Sequence, residues 1–178
     1  MNLRLYCNCR RNLSINKLKL YRIKIEYIKY LYKYDNRVQY NPKMKDIYTE
    51  RRPYLGVVLK VNNLNYFVPL EHPRKQHKEF KNNPFIFKIH KGKYGLLGFN
   101  NMIPINDKEL IEFDINKESD KYKQILISQY RFCNKHIQEI LAKANDTYIR
   151  RISESNVFFN KVCCDFKLLE KKCNEWDN

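Results

Sequence analysis

Glu71, His72, Arg74, Lys75 and His77 fall within seven consecutive residues and offer an acid, two imidazoles and two cations. Histidine titrates near neutrality, so it can take or give a proton at physiological pH. A guanidinium holds a phosphate through two parallel donors. These types point to proton transfer on an anionic, phosphate-bearing substrate. The bland alternative is a solvated charged loop, which most such stretches are. A second cluster, Tyr48-Thr49-Glu50-Arg51-Arg52-Pro53, adds a phenol and two guanidiniums.

Strands must position both clusters. Tyr54 to Val61 is rich in β-branched and aromatic residues and reads as a strand. Asn62-Asn63 supplies a turn that tolerates positive φ. Asn65 to Leu70 returns as the second strand of a hairpin. Paired strands lie about 4.8 Å apart, so residues 54 and 70 share the open end of the hairpin. Tyr48 to Arg52 should therefore face Glu71 to Arg74 across one cleft.

The remaining pattern is mixed. Tyr27, Ile28, Leu31 and Tyr34 follow a helical spacing that Asp35-Asn36 ends, and 36–53 reads as a long loop. Further strands are expected at 85–90, 94–99 and 102–105, with a turn at Lys91-Gly92-Lys93. Ser119 should cap a helix running past Leu141 and broken at Asn145-Asp146. A second helix is expected over 147–156, and a third from an Asp165 cap to Trp176. Hairpins followed by helices indicate an α+β fold built on an antiparallel sheet. Residues 1–17 are polar and irregular, and read as a basic arm or an upstream start; 18–178 read as one domain.

The chain has 178 residues and a net charge of +16. Leu, Ile, Val and Phe account for 51 of them, above the roughly 20 % at which chains stay unfolded. No run of about 18 uncharged apolar residues exists, so no membrane span is expected. Four glycines are too few and too scattered for a phosphate-binding or dinucleotide loop. Lys and Asn are inflated, as in AT-rich coding, yet the excess of base over acid remains and calls for a polyanionic partner. The charge is uneven: 1–34 and 72–93 are strongly basic, whereas 107–120 hold six acids. The six cysteines contain no C-x-x-C pair, so neither a zinc site nor another metal or cofactor is expected. A reduced cytoplasmic protein with inert thiols is the reading.

Arg52-Pro53-Tyr54-Leu55-Gly56-Val57-Val58-Leu59, Tyr66-Phe67-Val68-Pro69-Leu70 and Gly98-Phe99-Asn100-Asn101-Met102-Ile103-Pro104-Ile105 resemble the ToxN/AbiQ family, the endoribonuclease toxins of type III toxin–antitoxin systems. Tyr27 to Leu31 and Asp165 to Glu170 extend the resemblance over about 18–178, in order. It implies a compact α+β domain with a strongly twisted antiparallel sheet. It also implies metal-independent cleavage of single-stranded RNA to 2′,3′-cyclic phosphate ends. The implied partners are that target RNA and a repeated pseudoknot RNA antitoxin, closed with the toxin into a ring. The implied role is phage defence by abortive infection.

On the family pattern, Tyr48 matches the site tyrosine and Arg52 stands at the lysine before the first strand. Glu71 and His72 replace a hydroxyl pair, Pro73 matches, and Arg74 replaces a second lysine. The loss of the serine is the main departure. His72 then becomes the expected general base or acid. Arg52 and Arg74 would stabilise the phosphorane, Tyr48 would position phosphate or ribose, and Glu71 would orient His72 and raise its pKa. Lys29, Lys33, Arg37, Arg51, Lys75, His77 and Lys78 are the expected RNA contacts. Tyr30, Tyr32 and Tyr40 interleave with them as stacking candidates, whereas Tyr27 and Tyr34 read as a buried helix face. His77 is the second candidate imidazole, and His90 and His136 read as structural. The alternative is a non-catalytic RNA-binding descendant of the family.

Overall fold

The computed structural model describes residues 17–81, 83–153 and 157–176. Residues 1–16 of the expected basic arm lie outside the described residues. Among the described residues, seven strands form one antiparallel sheet in the order β4-β5-β3-β2-β1-β7, with β6 also pairing β3. The strands are β1 (Lys19–Ile23), β2 (Tyr54–Val61), β3 (Leu64–Glu71), β4 (Ile86–Lys88), β5 (Leu96–Gly98), β6 (Ile103–Ile105) and β7 (Leu110–Glu112). Seven α-helices flank them: α1 (Ile25–Tyr34), α2 (Ile47–Glu50), α3 (Gln76–Glu79), α4 (Asp120–Lys135), α5 (Ile137–Ile152), α6 (Val157–Val162) and α7 (Phe166–Glu175). This is the α+β, antiparallel-sheet fold class expected from the sequence. No described helix is long and apolar enough to cross a membrane.

The β2–β3 hairpin is the centre of the sheet. Asn62 takes φ 53°, which makes its tight turn. Tyr54 pairs with Pro69 and Leu55 with Val68, and a bulge interrupts β2 between Gly56 and Leu59. Gly56 leaves room for the Phe67 ring: a Cβ there would sit 2.2 Å from its nearest ring carbon. β3 is buried along nearly its whole length, because β2 covers one edge and β5 and β6 cover the other. α5 packs on β2, α7 on β6 and α1 on α7. Inside, Tyr66 and Tyr148 donate their hydroxyls to Glu170 Oε1 at 2.9 and 2.7 Å, satisfying a carboxylate that burial would otherwise make costly. Tyr27 donates to the Pro104 carbonyl at 2.8 Å and so ties α1 to β6.

Several boundaries differ from the sequence reading. The expected break at Asn145-Asp146 is absent, and α5 runs through it. Ala144, Thr147 and Tyr148 continue one buried face there, and Asp146 accepts from Arg150 one turn on. The break lies at His136, whose φ of −109° leaves the helical range. Its ring stacks on Phe132 with centroids 4.3 Å apart. The helix expected over 147–156 is thus in part the end of α5. Ser119 precedes α4 without a side-chain capping bond, whereas Asp165 caps α7 by accepting from Leu168 N at 3.1 Å. The strands expected at 85–90 and 94–99 shorten to three residues each. β1 and β7 carry no strand pattern in the sequence, because β1 buries only Leu20 and Ile23, three residues apart, and β7 is three residues long. The loop over 36–53 holds the single turn of α2.

Candidate active site

The open end of the β2–β3 hairpin creates a groove. Leu70 N donates to the Pro53 carbonyl at 2.9 Å, so the chain entering β2 and the chain leaving β3 run side by side. α2 and the residues after it form one bank, with Tyr48, Arg51 and Arg52. Residues 71–74 form the floor and opposite bank. Lys117 to Tyr122 close the far side, and the groove has a volume of about 1060 Å³. Tyr48, Arg52, Glu71, His72 and Arg74, the five candidate catalytic residues, all line it. Sequence reasoning missed Gln39, Arg22 and the 117–122 wall, because nothing local marks them as neighbours of residues 48–74.

The groove is cationic and open. Tyr48 is 60 % exposed at its lip. Arg51 and Arg74 are exposed, and Arg52 is half-buried with Nη1 donating to the Gln39 carbonyl at 2.8 Å. The His72 ring leans on Tyr122 with centroids 5.6 Å apart. Burial first, then the charges of Arg74 and Lys121, hold the His72 pKa below its ordinary value. The shift favours the neutral imidazole, the form with a nitrogen able to accept a proton.

Glu71 does not raise the pKa of His72, as the sequence reading expected. His72 lies just past the end of β3, and the Glu71 carboxylate is turned to other partners. Glu71 Oε1 accepts from Gln39 Nε2 at 3.3 Å, and Oε2 lies 3.7 Å from His77 Nε2. His77 is only 1 % exposed, with no hydrogen-bond partner at Nδ1, so in this conformation it offers no surface to RNA. Burial lowers its pKa, Glu71 opposes that shift, and Arg74 and His72 add to it.

A family model described as toxin ToxN of type III toxin–antitoxin systems matches residues 19–174. The chain belongs to the ToxN family. It is 32 % identical over 166 residues to endoribonuclease ToxN of Bacillus thuringiensis subsp. kurstaki, covering 89 % of this chain and 84 % of that one. It is 30 % identical to endoribonuclease AbiQ of Lactococcus lactis subsp. lactis, over 87 % of each chain. Among solved structures, it superposes with a TM-score of 0.78 and 31 % identity on a type III toxin selectively inhibited by a non-coding RNA pseudoknot. That match spans 91 % of this chain and 99 % of the other. AbiQ, a lactococcal anti-phage endoribonuclease, superposes with a TM-score of 0.74 and 28 % identity, over 90 % and 98 %.

The other candidates in this ToxN-family chain divide by environment. Lys33, Arg51, Lys75 and Lys78 are exposed. Lys29 is ion-paired with Asp46. Arg37 is occupied: it donates to Asp35 Oδ1 at 2.7 Å and to the Asn160 carbonyl at 2.7 Å, and Asp35 is 3 % exposed. Tyr27 is buried as expected, but Tyr34, at the end of α1, is 43 % exposed beneath the Lys172 ammonium. Tyr30 packs on Trp176 and Tyr32 on Tyr40. His90 lies exposed in the turn before Gly92 rather than in a strand. Cys133, Cys163 and Cys164 are free and buried, Cys173 is buried with its Sγ donating to Asn106 Oδ1 at 3.4 Å, and burial pushes the Cys133 and Cys163 thiols up to about 12.

Proposed function

We propose that this chain is the toxin of a type III toxin–antitoxin pair, an endoribonuclease that cuts cytoplasmic single-stranded RNA by 2′-OH attack. The supporting observation is an imidazole, His72, in an open groove with Arg51, Arg52, Arg74 and Tyr48. Cleavage needs a base for the 2′-hydroxyl, charge stabilisation for the phosphorane and an acid for the 5′-oxygen. His72 takes the proton from the 2′-oxygen as that oxygen bonds to phosphorus. Arg52 and Arg74 bind the non-bridging oxygens, where negative charge grows. The resulting imidazolium can return its proton to the leaving 5′-oxygen, and the product carries a 2′,3′-cyclic phosphate. Tyr48 at the lip positions the ribose or phosphate. Cations perform the electrostatic work that a metal performs in other nucleases, so the reaction is metal-independent.

The family and its RNA-inhibited structural neighbour support the partner reading. A repeated pseudoknot RNA occupies the same cationic surface, toxin and RNA close into a ring, and release of the toxin serves phage defence. Residues 18–178 form the toxin domain.

The test is cleavage of a panel of single-stranded RNAs in EDTA, with wild type beside His72→Ala and end-group analysis of the products. Cyclic phosphate ends, formed about 100- to 10,000-fold more slowly by the variant, are expected. Cleavage undiminished in His72→Ala overturns the role of His72. Tight RNA binding without cleavage by wild type across the panel establishes the binding-only alternative.

A further inference from the structure

Arg52 is held by a residue that touches the floor of the groove as well. Its Nη1 donates to the Gln39 carbonyl at 2.8 Å. The side chain of the same Gln39 donates from Nε2 to Glu71 Oε1 and to Asn101 Oδ1, each at 3.3 Å. Asn101 in turn donates to the Arg37 carbonyl at 2.7 Å, and Arg37 is locked onto buried Asp35. The second oxygen of Glu71 faces His77, buried beneath the groove, at 3.7 Å. Polar contacts thus run from an imidazole under the floor, through one carboxylate and one amide, to the guanidinium at the head of β2.

Glu71 accepts from Gln39 Nε2 and faces His77, so its carboxylate serves as an anchor for the amide. A guanidinium left to its own rotamers would lose conformational freedom on meeting the phosphate, whereas one already held presents its remaining donors in a fixed direction.

We infer that Gln39 is a positioning residue for cleavage, coupling the direction of Arg52 to the Glu71–His77 pair. This rests on the proposal that Arg52 meets the scissile phosphate. Gln39 touches no reacting atom in this arrangement. It acts through Arg52, so its loss lowers the rate of the bound complex more than the affinity for RNA.

The experiment is single-turnover cleavage at saturating single-stranded RNA, with the RNA Kd measured separately. Wild type is compared with Gln39→Leu, Gln39→Met, Glu71→Ala, Gln39→Leu/Glu71→Ala and Arg52→Ala. Gln39→Leu should slow cleavage about 10- to 100-fold, the scale of a small misplacement of a catalytic group, with Kd changed less than about threefold. Because both side chains belong to one link, the double variant should lose no more than the worse single variant. A rate within threefold of wild type in Gln39→Leu, with Arg52→Ala strongly impaired, overturns the coupling and leaves the site intact. A loss confined to Kd overturns it too. Full activity in Arg52→Ala removes the underlying reading instead. If Gln39→Leu melts early, Gln39→Met and Glu71→Ala carry the same comparison.

Discussion

Glu71 and His72 are adjacent in the chain, yet their side chains serve different layers of the molecule. Glu71 turns to Gln39 and buried His77, at 3.3 and 3.7 Å, while His72 leans on Tyr122 in the groove. The carboxylate that ought to make His72 more basic is engaged elsewhere. Burial first, then the charges of Arg74 and Lys121, make His72 less basic.

That separation sets the pH dependence. His72 acts as a base only when neutral, and its folded pKa lies below 6.5. Activity, as kcat/KM on an unstructured RNA, should be flat above pH 6.5 and fall on the acid side of the lowered pKa, tenfold per unit. Lys121→Gln removes one of the charges responsible and should shift that limb upward. Stability follows the same sign. His72 and His77 bind protons more weakly folded than unfolded, so stability present above pH 6.5 is lost as pH falls through their depressed folded pKa values. Melting at pH 5 against pH 7.5 measures it.

The basic residues should separate into two functional groups. Lys33, Lys75 and Lys78 are exposed, and replacing all three with alanine should weaken RNA binding. If each meets one phosphate, the slope of log K against log salt should fall by about 2. Arg37→Ala should instead leave Asp35 buried without its main partner. That costs about 3 kcal/mol, at the low end for buried pairs because Arg37 is partly exposed. Melting then drops by roughly 6–12 °C in a chain of this size. Salt titrations and thermal melts distinguish the two outcomes.

Gly56 tests the packing of the hairpin whose open end carries the groove. Gly56→Ala drives a methyl into the Phe67 ring and should cost about 1–3 kcal/mol, read as a lower melting temperature. Combining it with Phe67→Leu should recover part of that loss, since the smaller side chain yields space. Full-strength melting of Gly56→Ala would show that the hairpin relaxes without cost.

How far the site could be read beforehand depended on distance along the chain. The facing of Tyr48 and Arg52 with His72 and Arg74 was legible, because a two-residue turn and strand pairing bring residues 54 and 69 together without further information. The α5 helix was misread at Asn145-Asp146 because local propensity disfavours those residues, while a buried face through Ala144 and Tyr148 outweighs it. His77 carried no sign of burial: in a run of charges, a polar residue looks solvated. Only its packing beneath the strand end, where its backbone meets Gly92, reverses that.

The amino-acid sequence by itself determined the family, the basic charge and the pairing of two charged clusters at the open end of one hairpin. Those depend on residue type and on short-range geometry. The tertiary structure decided which of those residues face the groove and which support it. Gln39 meets Glu71 across 32 residues and Asn101 across 62. Such contacts form only when the 35–40 segment is clamped to the core, through Asp35 on the Asp165 amide and Arg37 on the Asn160 carbonyl. No local pattern encodes an amide's partner at that range, because the partner is selected by packing of the whole domain.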